Sequence, residues 1–200
     1  MQPRIFMFDL GGVVCRFHRE RRIDVLSTAC GISPERVDKE LYGSGMISAW
    51  DRGRQSAEEM LAEIRARLGF PGTPEELRRI WCRAFEPDPE VLAAVDLVRP
   101  HRTALFTDND PLLLAALPDC LPEVHERFDD LLFSCLLGVT KPSAEAFGRA
   151  LARLGAAAEE VFFVDDREQN VLAARALGIR AVLFESGTGL HREIAGLLAD

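Results

Sequence analysis

Several things are scarce in this chain of 200 residues, and each scarcity narrows its function. Basic residues are outnumbered, 24 Lys and Arg against 32 Asp and Glu, for a net charge of −8. A nucleic-acid surface clusters Lys and Arg against the phosphate backbone, so a general nucleic-acid binder is not expected. A small phosphorylated substrate stays open, because a bound cation reverses the local sign. No apolar stretch approaches the about 18 residues that a membrane helix needs. The N-terminal apolar run is cut by Asp9, so neither a signal peptide nor an anchor is expected. Five cysteines (Cys15, Cys30, Cys82, Cys120 and Cys135) are odd in number and form no CxxC pair. That pattern points to reduced thiols in a cytoplasmic protein rather than to a disulfide framework or a zinc site. His101, His125 and His191 show no ligand spacing and read as surface or loop residues. There is no internal repeat and no low-complexity segment.

What is present is ordinary globular material, 48% hydrophobic and 28% charged, long enough for one domain or one domain with a modest insertion. Residues 4–8 (RIFMF) read as a short buried strand ending at Asp9. From 16 to 85 the pattern turns to charge-rich helices with clear starts. Ser33-Pro34-Glu35 offers an N-cap followed by proline at the first helical position. Ser56 with Glu59 and Thr73 with Glu76 fit the capping box, in which hydroxyl and carboxylate satisfy each other's free backbone donors. MLAEIRARLG then runs as an amphipathic helix to Gly69, a C-cap.

Beyond FEPDPE, apolar strands alternate with helices. Asp88-Pro89 starts a helix to about Val98, and TALFT (103–107) is a second strand. Asp110-Pro111 starts another helix, and LLFSCLL is a third apolar segment. Ser143 opens a helix to Leu154, and VFFVDD is a fourth strand. A helix over 168–177 closes at Gly178, and AVLF (181–184) is a fifth strand. This alternation predicts an α/β fold, a doubly wound parallel sheet with helices on both faces. Residues 16–85, with no convincing strand, are then a helical subdomain inserted after the first strand.

Three strands end in acid or hydroxyl: Asp9, Thr107-Asp108 and Asp165-Asp166. In a parallel sheet the C-terminal strand ends share one edge, where ligands bind, so these residues should converge. One such acid is commonly a helix cap; three together point to chemistry. Magnesium takes carboxylate oxygens, water and substrate phosphate, and another carboxylate can act as a nucleophile toward phosphorus. Thr107, Lys141 and the backbone of Gly11-Gly12 would hold the transferred oxygens.

FMFDLGGVV, ALFTDN, GVTKPSAEAF and VFFVDDREQNVLAARALGI, in this order, resemble the four motifs of the haloacid dehalogenase superfamily, most of whose members are magnesium-dependent phosphatases. The resemblance covers nearly the whole chain. It implies a Rossmann-like catalytic core (1–15 and 86–200) and a helical cap (16–85). The little chain between Thr107 and Lys141 leaves scant room for a cap placed there. It makes Asp9 the nucleophile and a Mg2+ ligand, with the Gly11 carbonyl and Asp166 as further ligands. Asp165 would lie in the outer shell or pair with Lys141, and Asn170 would support the metal site. Phosphate would meet Thr107, Lys141 and the backbone N–H groups of Leu10, Gly11 and Asp108. The implied substrate is a small phosphorylated metabolite such as a sugar phosphate, processed through an aspartyl-phosphate.

One departure matters. Where most of the family's phosphatases carry a second Asp, two residues after the nucleophile, this chain has Gly11. General acid–base catalysis of the kind that Asp provides is worth about 10²–10⁴-fold. Three readings stay open. The first is a phosphatase with a substitute acid or a good leaving group, similar to sugar-1-phosphate phosphatases that also read Asp-x-Gly. The second is a 2-haloacid dehalogenase, against which the Asp165-Asp166 pair speaks. The third is a weak or lost site that binds a phosphorylated ligand or a protein partner. Asp108 and His18 are candidates for the missing acid. Cys15, Trp50 and Trp81 read as packing residues, although Trp50 with Asp51-Arg52-Gly53 would alternatively line the substrate entrance. The charges of RFHRERRID read as a solvated helix face, or alternatively as a guide for an anionic substrate.

Overall fold

A computed structural model describes residues 2–199. Its chain runs β1 (Ile5–Phe8), β2 (Cys15–Phe17), α1 (Arg19–Cys30), α2 (Pro34–Asp38), a π-helical turn (Lys39–Gly43), α3 (Met46–Trp50), α4 (Ala57–Leu68) and α5 (Pro74–Cys82). It continues through β3 (Phe85–Pro87), α6 (Pro89–Leu97), β4 (Arg102–Thr107), α7 (Pro111–Cys120), α8 (Pro122–His125), β5 (Asp130–Phe133) and α9 (Ser134–Leu137). The remainder is α10 (Ala144–Leu154), a short 3₁₀ turn (Ala158–Glu160), β6 (Val161–Asp165), α11 (Glu168–Ala176), β7 (Arg180–Leu183) and α12 (Gly187–Ala199).

The starts of these helices follow from local chemistry. Ser56 accepts from the Glu59 N–H while the Glu59 carboxylate takes the Ser56 N–H, and Thr73 and Glu76 do the same for α5. Asp88, Asp110 and Ser143 each cap a helix by accepting a backbone N–H. The apolar segment LLFSCLL is strand only as far as Phe133. From Ser134 it turns into α9, which ends at Gly138 in the left-handed conformation.

Five parallel strands form the sheet in the order β5-β4-β1-β6-β7. Side chains of β1 alternate between its faces. Phe6 and Phe8 pack with residues of α6, α7 and α12, while Ile5 and Met7 pack with α10 and α11. A fully buried side chain of this size stabilises by about 1.5–3 kcal/mol. The chain works outward from β1 through β4 to β5, then returns to place β6 on the other side of β1. That reversal opens a crevice at the C-terminal ends of the central strands.

The helical insert shares the first of these cores. Trp50, Ile64 and Trp81 are fully buried in the same apolar cluster as Phe8, and α5 packs along α7. The insert is not free of strand, contrary to expectation. β2 and β3 pair antiparallel where the chain leaves and re-enters the core, with Phe17 opposite Phe85. Three-residue strands are too short for a period of two to show in the sequence.

Candidate active site

Asp9 follows the last residue of β1 and is still held by the sheet: its N–H donates to the Val164 carbonyl at 2.9 Å. That bond carries the pairing one residue past the strand and sets Asp9 level with Asp165 on β6. Thr107 ends β4, the neighbour on the other side. The three predicted strand ends therefore converge, and Lys141, from the loop before α10, reaches beneath them.

Lys141 is 5% exposed, and its Nζ lies 3.0 Å from Asp9 Oδ1 and 2.7 Å from Asp165 Oδ2, and it donates to the Phe106 carbonyl at 2.9 Å. Burial works against its charge, but Asp9, Asp165 and Asp108 outweigh that and hold the ammonium above the ordinary lysine value. Asp9 is pushed upward by burial, with Lys141 opposing the shift and Asp165 adding to it. Both oxygens of Asp165 are committed. Oδ1 accepts from the Arg167 N–H and from Asn170 Nδ2, and Oδ2 from Asn170 Nδ2 and Lys141 Nζ. Its neighbour Asp166 is exposed to the cavity, and burial and the Asp165 charge together raise its pKa.

Asp9, Asp165 and Asp166 each offer an oxygen, and these oxygens lie within 4.8 Å of one another. Asn170 Oδ1 beside them is buried without a hydrogen-bond partner. An all-oxygen, anionic donor set of this kind suits a hard divalent cation. Gly12 makes room for it. Its φ is +91°, and a Cβ there would meet Asp166 Oδ2 at 2.2 Å. Gly11 carries no such constraint, because a Cβ there would find its nearest neighbours at 3.8 Å.

Thr107 is buried and its Oγ1 accepts from Asn109 Nδ2 at 2.7 Å, which leaves the hydroxyl proton to be donated elsewhere. The Asp108 carboxylate turns to the Lys141 backbone N–H at 3.1 Å. The Leu10 N–H lies at the Asp9 carboxylate and lowers its pKa against the larger effect of burial. His18 is not among the residues lining the cavity; its ring lies 3.2 Å from Glu20 and 3.3 Å from Glu86. Trp50 is fully buried against Trp81, with centroids 6.0 Å apart, as a packing residue would be.

These groups border a cavity of about 260 Å³, below the ~300–1,000 Å³ of pockets for drug-sized ligands. Part of its wall is core: Asp9, Gly11, Thr107, Asp108, Lys141 and Asp166. The insert contributes Phe17, Arg22, Tyr42, Ile47 and Asp51. Arg22 corrects the reading of RFHRERRID as a solvated face, because it is only 2% exposed. Its guanidinium donates to the Trp81 carbonyl at 3.1 Å and lies 4.0 Å from the Trp81 ring centroid. The signal was helical spacing: Arg22 shares a face with Leu26, four residues on, and that face is the buried one. Asp110 was legible only as a cap. It also accepts from Trp81 Nε1 at 2.8 Å, tying the insert to the core. Asn109, which orients Thr107, had no signal beyond its neighbour.

The family model of the haloacid dehalogenase-like hydrolases matches residues 3–178. The D-ribitol-5-phosphate phosphatase of Bacteroides thetaiotaomicron is 25% identical over 96% of this chain and 97% of its own. A HAD-like hydrolase from Porphyromonas gingivalis, 28% identical, superposes with a TM-score of 0.80 over 100% of both chains. A HAD-family enzyme of Bacteroides thetaiotaomicron, solved with magnesium and inorganic phosphate, reaches 0.77 over 92% of this chain and 96% of its own; at 21% identity that likeness concerns the fold. Sheet order, strand-end residues and family match agree: the chain belongs to the haloacid dehalogenase-like hydrolases.

Proposed function

We propose that this protein is a magnesium-dependent phosphatase of a small phosphorylated metabolite, such as a sugar phosphate, acting through an aspartyl-phosphate on Asp9. The observation that carries the reading is the buried Lys141 joining Asp9 to Asp165, with Asp166 left open to the cavity beside them. The phosphatase that matches this chain end to end supports it, as do the magnesium and phosphate bound by its structural neighbour.

Asp9, Asp166 and the Gly11 carbonyl would hold the metal, with Asp165 fixed behind them by Asn170 and Lys141. Bound there, magnesium would neutralise phosphate oxygens and hold them against the Asp9 carboxylate. Asp9 attacks phosphorus as the bond to the leaving oxygen breaks, and water later releases phosphate from Asp9. Thr107 donates its hydroxyl proton to a phosphoryl oxygen, the N–H groups of Leu10, Gly11 and Asp108 add donors, and Lys141 balances the growing charge. Residues 16–85 serve as the cap over this reaction. No helix among the described residues is long and apolar enough to cross a membrane. Five free thiols support a reducing, cytoplasmic setting.

The test is phosphate release from p-nitrophenyl phosphate with and without magnesium. The reading requires magnesium-dependent turnover that Asp9→Asn abolishes while phosphate binding persists. Binding without turnover in the wild type would make the protein a ligand-binding member of the family instead.

A further inference from the structure

An alkoxide is a poor leaving group, so cleaving an alkyl phosphate calls for a proton donor at the leaving oxygen. Five aspartates line the cavity: Asp9, Asp51, Asp108, Asp110 and Asp166. Four are committed. Asp9 is the nucleophile at Lys141, and Asp166 faces the metal position. Asp108 takes the Lys141 N–H, and Asp110 takes Trp81 and Leu113. Gly11 offers no side chain. The fifth, Asp51, comes from the insert, and among the described residues its carboxyl has no hydrogen-bond or ion-pair partner.

We propose that Asp51, carried into the cavity by the turn after α3, is the catalytic residue that protonates the leaving oxygen; the inference rests on the phosphatase reading above. In the first step the Asp9–phosphorus bond forms, the bond from phosphorus to the substrate oxygen breaks, and that oxygen takes the Asp51 proton. In the second, water loses a proton to the Asp51 carboxylate as it attacks phosphorus, the Asp9–phosphorus bond breaks, and phosphate leaves with Asp51 protonated again.

Two features equip Asp51 for this. The turn that bears it is pressed onto the core. Gly53 has φ +67°, and a Cβ there would meet the Cys135 carbonyl oxygen at 2.0 Å, so the backbones touch where only glycine fits. The surroundings also favour the neutral acid. Burial, with the charges of Asp110 and Asp108, pushes Asp51 up to about 8, against the opposing pull of Arg22 and Arg52. At neutral pH most of it holds its proton, as a general acid must.

The experiment compares phenyl phosphate, whose leaving oxygen is a phenol's with a pKa near about 10, with p-nitrophenyl phosphate, whose far more acidic phenol leaves without help. In Asp51→Asn the ratio of kcat/KM for the nitrophenyl ester over the phenyl ester should rise about 10²-fold, the low end of general-acid catalysis. The wild-type phenyl ester rate should fall as pH rises through about 8, and the variant should lose that limb. Adding Gly11→Asp to Asp51→Asn should restore part of the phenyl ester rate, since position 11 has room for a carboxyl. Equal loss on both esters with no rescue, or no loss on either, overturns the inference while leaving the phosphatase reading intact. A wild type that releases no phosphate from either ester sinks both together.

Discussion

The two sides of the cavity are built on opposite principles. On the core side the groups gathered round Lys141 are paired, and the atoms left open, Asn170 Oδ1 and the Asp166 carboxylate, sit at the candidate metal position. Lys141 has three partners, Asp165 has both oxygens filled, and Thr107 is oriented by Asn109. On the insert side, among the described residues, Asp51 has no hydrogen-bond or ion-pair partner, and Arg22 donates to Tyr42 and the Trp81 carbonyl but keeps a buried Nε without a partner and has no carboxylate within 4.0 Å. A buried charge without a counter-ion is costly, so such groups persist where a ligand completes them. On the phosphatase proposal, the core side is pre-organised for the reaction and the insert side is left open for a substrate to fill.

The largest way to break this contrast is Lys141→Ala, which strands Asp9 and Asp165 in the interior with no cation. Removing one partner of a buried pair costs about 3–5 kcal/mol, and each kcal/mol lowers the melting temperature of a chain this size by about 2–4 °C. Thermal unfolding should therefore drop markedly, and phosphate release should vanish with it. Gly12→Ala strikes the pre-organised side more gently, because its Cβ would displace the Asp166 carboxylate. The magnesium concentration for half-maximal activity should rise about tenfold, the scale of outer-shell damage to a metal site, when activity is titrated with the ion. Arg22→Gln tests the unfinished side. It should raise KM about tenfold, a loss of roughly 1.4 kcal/mol in binding, while kcat and melting temperature move little. A drop in stability as large as that of Lys141→Ala would show that Arg22 is a structural residue and that the two sides do not differ.

The same contrast explains what could be read from the sequence. The core side is written locally: an apolar run stops at Asp9, another at Thr107, a third at Asp165, and parallel pairing brings the three ends together. Helix caps at Ser56, Thr73 and Asp88 are equally local, and their helices begin where the caps stand. The insert side is written at a distance. Arg22 looks like one more charge in RFHRERRID, and only the packing of α1 against Trp81 buries it. Asp51 stands in the sequence only as part of Trp50-Asp51-Arg52-Gly53, an alternative lining of the substrate entrance, and what brings it to the cavity is Gly53 meeting the Cys135 backbone, more than eighty positions along the chain. Gly11 and Gly12 illustrate the limit sharply. Adjacent and identical in the sequence, they differ in need, since only Gly12 has the left-handed φ and the close approach.

Lys141 has one more consequence, for how the molecule meets reagents. The chain has only two lysines, Lys39 and Lys141, and the second sits with its ammonium enclosed by Asp9, Asp165 and the Phe106 carbonyl. An acylating reagent needs a free, accessible amine, which Lys39 can supply on the surface and Lys141 cannot while the fold holds. The rate at which label reaches Lys141 therefore reports how often this buried ion cluster comes apart, a clock placed by the same contacts that hold Asp9 in place.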